Sequence, residues 1–546
     1  VKTLSFRLHE DLRADDERRA HLRVRLERAA KPKIKHPAQR RACGPSLSSD
    51  RCAIERLSMT NETASESGPW YVRRQGAALC ASVLLLAMAL VLFVNLHDEP
   101  ARRLSEKRCV SVVNAMVRSG DWLIPRVSGE PRLQKPPLLY WAGAATATLL
   151  DDTGVIAVRL PSAFATLALI ALVMAWGASL GGIGRGLAAG AVLVAMYQLT
   201  ASGRRGDAEM LLAFFCAATL FAFDRLHVTR NRALLPLFGV LAGLALLAKA
   251  TAVFVVVALP ILVFLALEGE LRRLRDPGLL GACALAFAIG VAWYVAVVAS
   301  VPGALAILWE DLILPLGADS PIGAGARHYQ PVWYYLTALP KRAAPASVLL
   351  PVVLWRLWTT GLYRDEPRMR FAALCFMAPF VGFSLLPQKQ AHYTLVMLPS
   401  LAILCAESVA ALAPGARAWL ARGFGAPFAL AGLAATALLA LYFHWLEGWP
   451  LPGIVLGSLV VGGLFAVALV AALRGRIAGL ALASLPAFLL VLALHRGVAM
   501  VRAEKLEVGG VGSLTLDERE RLYRVARERP WFVEVFQLSR EVERSS

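Results

Sequence analysis

The sequence predicts an all-α polytopic membrane protein of about 13 transmembrane helices, and three observations carry that expectation. They are the composition, the spacing of the apolar runs and the placement of the basic residues. The 546 residues are 57% hydrophobic and only 18% charged, with a mean hydropathy of +0.56. A soluble domain carries about 45–50% apolar and about 25% charged residues. The formal net charge of +19 comes from 58 Lys and Arg against 39 Asp and Glu. In a nucleic-acid binder such an excess would gather with aromatics in a polar domain. Here much of it lies between apolar runs, so it reads as topology and no nucleic-acid partner is expected.

A bilayer core of roughly 30 Å needs about 20 apolar residues in helix. Thirteen stretches come near that length: Gln75–Leu96, Val158–Leu180, Gly184–Ser202, Met210–Phe223, Ala233–Leu247, Thr251–Leu267, Leu279–Ser300, Ala343–Trp358, Phe371–Leu386, Tyr393–Leu412, Pro427–His444, Leu451–Leu473 and Ala478–His495. The fifth and sixth are parted only by a short turn at Lys249. Lys and Arg in short loops set orientation. Arg73 and Arg74 precede the first span, and every second connection after it is basic: Arg185; Arg225, Arg230 and Arg232; Arg272, Arg273 and Arg275; Arg356, Arg364, Arg368 and Arg370; Arg417 and Arg422; Arg474 and Arg476. These connections are assigned to the cytoplasm. The alternate connections are either tiny or long and charge-mixed, as in 97–157 and 301–342. With thirteen spans the C-terminus falls outside.

Residues 1–74 form a polar cytoplasmic N-terminal arm, of which 1–58 read either as an over-extension ahead of a start at Met59 or as a disordered extension of that arm. Residues 75–495 form the membrane domain, and 496–546 a short outer segment in which Thr515-Leu516-Asp517-Glu518 reads as a capping box. Five of the eight cysteines lie in apolar runs, as small hydrophobes do. No zinc spacing, Walker A, HExxH or GxSxG occurs. Gly182-Ile183-Gly184-Arg185-Gly186 imitates part of a dinucleotide fingerprint but has no strand before it, so it reads as a turn.

The unusual polar residues gather on the outer face. Asp98 and Glu99 follow the first span, with Arg102 and Arg103 close behind; Lys135 stands before Pro136-Pro137. Arg204, Arg205, Asp207 and Glu209 lie between spans three and four, and Lys249 between five and six. His328, Tyr329, Trp333, Tyr334 and Tyr335 precede span eight; Lys389, His392 and Tyr393 lie between nine and ten. An ionisable group at the membrane edge is costly unless it is paired, snorkelling or functional. Their convergence therefore marks one outward-facing site. Lys249 has snorkelling as its plain alternative, and the Trp333–Tyr335 aromatics have an interfacial belt. His392 and Glu209 read as structural. Arg204 and Arg205 break the positive-inside pattern, which points to an anion.

Val110, Val113, Met116 and Val117 follow helical spacing, which predicts a helix lying in the interface. Pro136 and Pro137 suit the start of a second, where missing N–H groups do no harm. Interfacial helices beside a carboxylate and several cations suit a lipid phosphate, with its chain in the bilayer and its head group at the aqueous edge.

Several strings resemble a known family. Asp98-Glu99, the run Met116-Val117-Arg118-Ser119-Gly120-Asp121-Trp122-Leu123-Ile124-Pro125 and the run Gln134-Lys135-Pro136-Pro137-Leu138-Leu139-Tyr140-Trp141 resemble the first outer loop of the 4-amino-4-deoxy-L-arabinose lipid A transferases. These stand with the protein O-mannosyltransferases among the GT-C glycosyltransferases. Asp207, Leu247-Ala248-Lys249, His328-Tyr329-Gln330-Pro331-Val332-Trp333-Tyr334-Tyr335 and Ser384 to Tyr393 resemble later elements, in the family's order. At the family's arginine three residues after the aspartate this chain has Ala101, followed by Arg102 and Arg103.

The resemblance implies a GT-C fold and transfer of a sugar from an undecaprenyl-phosphate donor to an envelope acceptor, lipid A phosphate first. Transfer of another sugar to a protein or glycan, or transport of a lipid-linked sugar, are the alternatives. It implies catalytic roles for Asp98, Asp207 and Glu99, and donor-phosphate binding by Lys135, Arg102, Arg103, Arg204, Arg205 and Lys249. His328, Tyr329, Trp333, Tyr334, Tyr335, Lys389 and Tyr393 would hold acceptor or sugar. No cofactor is required, and a divalent cation is left open. The expected setting is the bacterial inner membrane, as a monomer among membrane lipids, with the site facing the periplasm.

Overall fold

The computed structural model describes residues 74–97, 101, 103–313, 329–359, 366–445 and 451–476, with three further positions at 485, 487 and 489. The expectations on Asp98, Glu99, Arg102, His328, the N-terminal arm, most of the thirteenth span and the C-terminal segment lie outside the described residues. The described chain is helical, apart from one two-stranded hairpin and an isolated bridge. In order, the helices are α1 Arg74–Phe93, α2 Leu104–Ser119, α3 Leu138–Leu150, α4 Val155–Gly181, α5 Ile183–Val194, α6 Tyr197–Gly203, α7 Ala208–Thr229, α8 Leu234–Val253, α9 Leu259–Leu267 and α10 Pro277–Ser300. They continue as α11 Ala304–Ile313, α12 Tyr334–Arg342, α13 Leu350–Thr359, α14 Pro367–Leu385, α15 Leu398–Ala410, α16 Pro414–Leu420, α17 Ala426–Trp445 and α18 Leu451–Leu473.

Among the described residues, nine helices are long and apolar enough to cross a membrane, and ten if the bent pair α5–α6 is one crossing. The expected count of thirteen is not reached, for physical reasons. The third span is bent by 69° between α5 and α6. The eighth is the short apolar helix Ala346–Thr359. The fifth and sixth merge into one run, Leu234–Leu267, of 34 residues. At 1.5 Å per residue a straight helix of that length would be about 51 Å long, well beyond a bilayer core. It is not straight, because Lys249 leaves the helix at φ −168° and ψ 93°. Its two ends also return to one place. Glu270, just past the second limb, lies 3.5 Å from Arg230 and 3.6 Å from His227, just before the first. The limbs straddle α7: the Phe223 ring lies 6.4 Å from Phe238 on one limb and 6.3 Å from Phe264 on the other. The run therefore goes out to Lys249 and comes back, as two separate spans would.

The loops assigned to the cytoplasm gather at that same end. Arg368 donates to both carboxylate oxygens of Asp224, at 3.1 and 2.6 Å, and to the Ser179 hydroxyl at 2.9 Å. Arg185 reaches Glu407 at 2.6 Å and Arg232 reaches Asp276 at 2.6 Å. Arg370 pairs with Glu268. Trp176, Phe221, Phe223, Phe264 and Phe371 form an aromatic core above these pairs, with ring centroids 5.1–6.3 Å apart. The glycine-rich segment is a turn: Gly182 has φ +90°. A Cβ at Gly186 would come within 2.3 Å of the Met174 carbonyl oxygen, so α4 and α5 approach there as only glycine allows.

The first outer loop builds the opposite end. α2 buries Val110, Val112, Val113 and Met116, and packs on α3 and α4. Its apolar side is thus turned into the protein. Asp121 accepts from the backbone N–H groups of Leu123 and Ile124. The hairpin β1 Arg126–Val127 and β2 Glu130–Pro131 turns through Ser128 and Gly129, both at positive φ. α3 begins after Pro137, where the prolines predict it. The indole N–H of Trp141 donates to the Trp122 carbonyl at 2.6 Å, and that of Trp293 to the Leu123 carbonyl at 2.9 Å. The loop is so fixed to α3 and α10.

Candidate active site

Four chain segments converge at the outer end around Glu209. Asp207 takes extended backbone angles as the residue before α7, and Glu209 lies in the first turn of that helix. A carboxylate at a helix N-terminus is favoured by the helix dipole. The Glu209 Oε1 lies 3.3 Å from the His392 Nε2. Lys135, from the loop before α3, and Lys249, from the break in α8, also bear on Glu209 electrostatically. The Lys249 ammonium stands 4.3 Å above the centre of the Tyr393 ring, a cation–π position. The break in α8 is what brings this lysine to the site, since a continuous helix would carry the chain past it.

The charges tune one another. The Glu209 carboxylate holds the Lys135 ammonium well above its ordinary range, against the opposing effect of burial. Burial, and then the Glu209 charge, raise the Asp207 carboxyl, while Lys135 and the Ser105 hydroxyl act the other way. Burial, and then Arg103, lower the Arg205 guanidinium. The cluster is thus two carboxylates facing several cations from separate elements, an arrangement able to take up an anion.

The remaining expected residues divide. Tyr329 and Trp333 are 47% and 64% exposed on the outer rim. Tyr334 is half-buried, with its ring edge-on to that of Tyr335 at 5.2 Å. Tyr335 is buried and donates to the Gln390 carbonyl at 3.2 Å. Lys389 is also buried: its ammonium donates to the carbonyls of Gln330 at 2.9 Å and Leu386 at 2.5 Å, and burial lowers its pKa. With the bridge between Tyr329 and Gln388, it fastens the segment before α12 to the exit of α14. Arg204 donates to the carbonyls of Val91, Leu92 and Val94 at 2.7–2.8 Å and of Asn95 at 3.3 Å. These are the carbonyls an α-helix leaves open at its C-terminal end. Arg204 caps α1, which accounts for an arginine on the outer side without an anion.

Sequence reasoning gave Glu209 and His392 structural parts, and the geometry sets both at the centre of the charge cluster. It passed over Glu106 and Arg159 altogether. The signal was present: Arg159 is a charged residue inside an apolar run, which needs a partner.

Known proteins share this architecture. A family model described as dolichyl-phosphate-mannose-protein mannosyltransferase matches residues 134–295. The undecaprenyl phosphate-alpha-4-amino-4-deoxy-L-arabinose arabinosyl transferase of Pectobacterium carotovorum is 29% identical over 439 residues, 76% of this chain and 75% of the relative. The enzyme of the same name from Pseudomonas paraeruginosa is 30% identical over 374 residues, 66% of this chain and 65% of the relative. The crystal structure of ArnT from Cupriavidus metallidurans bound to undecaprenyl phosphate superposes with a TM-score of 0.62 at 21% identity, covering 80% of this chain and 81% of that one. The chain shares the GT-C fold of ArnT and is similar to these arabinosyl transferases over most of its length.

In this chain the matched segment 134–295 begins beside Lys135 and includes Asp207, Glu209 and Lys249. It leaves the His392 and Tyr393 wall to a later part of the chain. Among the described residues no three His, Cys, Asp or Glu side chains come together as a metal site.

Proposed function

We propose that this glycosyltransferase moves 4-amino-4-deoxy-L-arabinose from undecaprenyl phosphate to a phosphate of lipid A, at the periplasmic face of the bacterial inner membrane. The observation that carries the reading is the convergence of Lys135, Lys249 and Arg205 on one pair of carboxylates, Glu209 and Asp207, at one end of a helical bundle. Its relatives are named for this donor and sugar.

In this mechanism Lys135, with Arg102 and Arg103, holds the donor phosphate by charge-assisted hydrogen bonds. The bond between the anomeric carbon and the phosphate oxygen breaks, and a bond from an acceptor oxygen to that carbon forms on the opposite side. The electron pair of the broken bond goes to the lipid phosphate, where lysine and arginine stabilise the added charge. Asp98 orients the acceptor and offsets charge at the reacting carbon. Lipid A phosphate is already ionised near neutral pH and needs positioning more than deprotonation. Asp207 holds the sugar, and Glu209 keeps Lys135 charged and in place. Glu99 is assigned to catalysis with Asp98 and His328 to the acceptor or sugar, for which Tyr329, Trp333, Tyr334 and Tyr393 offer aromatic surface.

The test is purified full-length protein given undecaprenyl-phosphate aminoarabinose and lipid A, with products read by mass spectrometry. The expected product is lipid A carrying one added aminoarabinose, alongside free undecaprenyl phosphate. Donor consumption only with a protein acceptor would move the acceptor assignment. A donor left intact with every acceptor would overturn the reading.

A further inference from the structure

A second, deeper set of charges lies behind the site, and the transfer chemistry does not use it. Arg159, in the outer part of α4, and Glu106, in the first turn of α2, are 2% and 3% exposed. Arg159 Nε and Nη2 donate to the two Glu106 carboxylate oxygens at 2.8 and 3.0 Å. That is a two-pronged pair, which arginine makes and lysine cannot. Arg159 Nη1 donates to the Leu96 carbonyl at 2.9 Å. Glu106 Oε1 also accepts the backbone N–H of Gly206 at 3.0 Å. The circuit closes through Arg204, two residues before Gly206, which holds the carbonyls of residues 91–95.

The two backbone groups held are significant by position. Leu96 is two residues before Asp98, and Gly206 is the neighbour of Asp207. A Cβ at Gly206 would lie 2.4 Å from the Val158 side chain, so this turn is pressed against α4 beside Arg159. We infer that Glu106 and Arg159 are positioning residues of the transfer reaction: one buried ion pair ties the α1 exit at Leu96 to the turn before α7 at Gly206, and so fixes the turn that carries Asp207. The inference rests on the reading of Asp207 given above. The circuit suits this purpose because it joins three elements through groups that are buried and directional. A misplacement of about 1 Å can cost a catalytic site about a hundredfold.

The experiment uses the full chain, purified as a monodisperse species, with the undecaprenyl-phosphate aminoarabinose donor and lipid A. Arg159→Lys keeps the charge and loses the fork; Glu106→Gln keeps the shape and loses the charge. The expected result for folded protein is a kcat lower by tenfold or more, with the Kd for undecaprenyl phosphate within twofold of the parent. A pair that only supports the fold would lower the yield and leave the kcat of the folded fraction unchanged, and that result would overturn the inference. Should Arg159→Lys not fold, Glu106→Gln carries the same comparison. Arg159→Lys is then combined with Asp207→Asn. Action through the carboxylate predicts that the double variant loses much less than the product of the two single losses; full multiplication overturns it. Wild-type turnover in Asp207→Asn would instead remove the underlying reading, whatever the ion pair does.

Discussion

At the end assigned to the cytoplasm, four carboxylates are each taken by one arginine: Asp224 by Arg368, Glu407 by Arg185, Asp276 by Arg232 and Glu268 by Arg370. Each pair joins loops or helix ends far apart in the chain. At the outer end the balance is different. Glu209 faces Lys135, Lys249 and His392 together, and Arg205 lies near Asp207. At the first end each of these carboxylates is taken by its own arginine, and the pairs tie the bundle together. The second gathers Lys135, Lys249 and Arg205 on the two carboxylates Glu209 and Asp207 and keeps that local surplus for something that arrives. The same basic residue types thus give a structural clasp at one end and an anion site at the other, and whether each carboxylate is paired singly or shared decides which.

That contrast can be broken most decisively at the carboxylate that leads the outer loop. Asp98→Asn is expected to abolish transfer, since a loss of acceptor orientation costs a catalytic site about a hundredfold or more. The protein should still insert, purify as one species and bind undecaprenyl phosphate. Turnover near that of the parent would remove Asp98 from the chemistry and leave the outer end as a binding site only.

The clasp should fail in the other currency. Asp224 is 2% exposed and Arg368 is 18% exposed. Removing one partner of a buried pair leaves an uncompensated charge and costs about 3–5 kcal/mol. Asp224→Asn should therefore lower the thermal midpoint in detergent strongly, while donor affinity and kcat of the folded protein stay unchanged. A loss of donor affinity without a loss of stability would show that the two ends are not separate in function.

A smaller effect is expected from the surplus charge itself. One charge-assisted hydrogen bond contributes about 1.5–3 kcal/mol, so Lys135→Ala should weaken binding of undecaprenyl phosphate by roughly ten- to a hundredfold. Titration of purified protein with the lipid phosphate measures it. Unchanged affinity would take Lys135 out of the phosphate site.

The two ends also differ in how far the sequence disclosed them. Lys135, Asp207 and Lys249 were legible because an ionisable group beside an apolar run has few plain explanations. The alternation of basic loops correctly brought the segments around Ser179, Asp224, Glu268 and Arg368 to one end. Partners were not legible. Glu106 and Arg159 are 53 residues apart, and Arg159 inside its apolar run says that a partner is needed without saying which. Arg204 pointed to an anion until its hydrogen bonds to the α1 carbonyls were seen. Lys389 and Tyr335 sit in a family-like string, yet their polar ends are spent on backbone carbonyls. Tertiary hydrogen bonding decides between ligand and latch, and it leaves little trace in the sequence.

The slightest expected effect is the most diagnostic of a site built for chemistry rather than stability. Burial and the Glu209 charge raise the Asp207 carboxyl above its ordinary value. The folded protein therefore binds this proton at a higher pH than the unfolded chain does. As pH rises through that window the unfolded state has already released its proton, so folding stability falls. At neutral pH the charged Asp207 is a net burden on the fold. Asp207→Asn removes the charge and keeps the shape, so it should slightly raise the thermal midpoint near neutral pH while lowering turnover, less severely than Asp98→Asn does. The gain should shrink as pH falls and the parent's own carboxyl becomes protonated. Melting curves of both proteins across the acid-to-neutral range measure the difference. A variant less stable than the parent at neutral pH would mean that the neighbouring Lys135 and Ser105 outweigh burial, and that Asp207 is a member of a clasp after all.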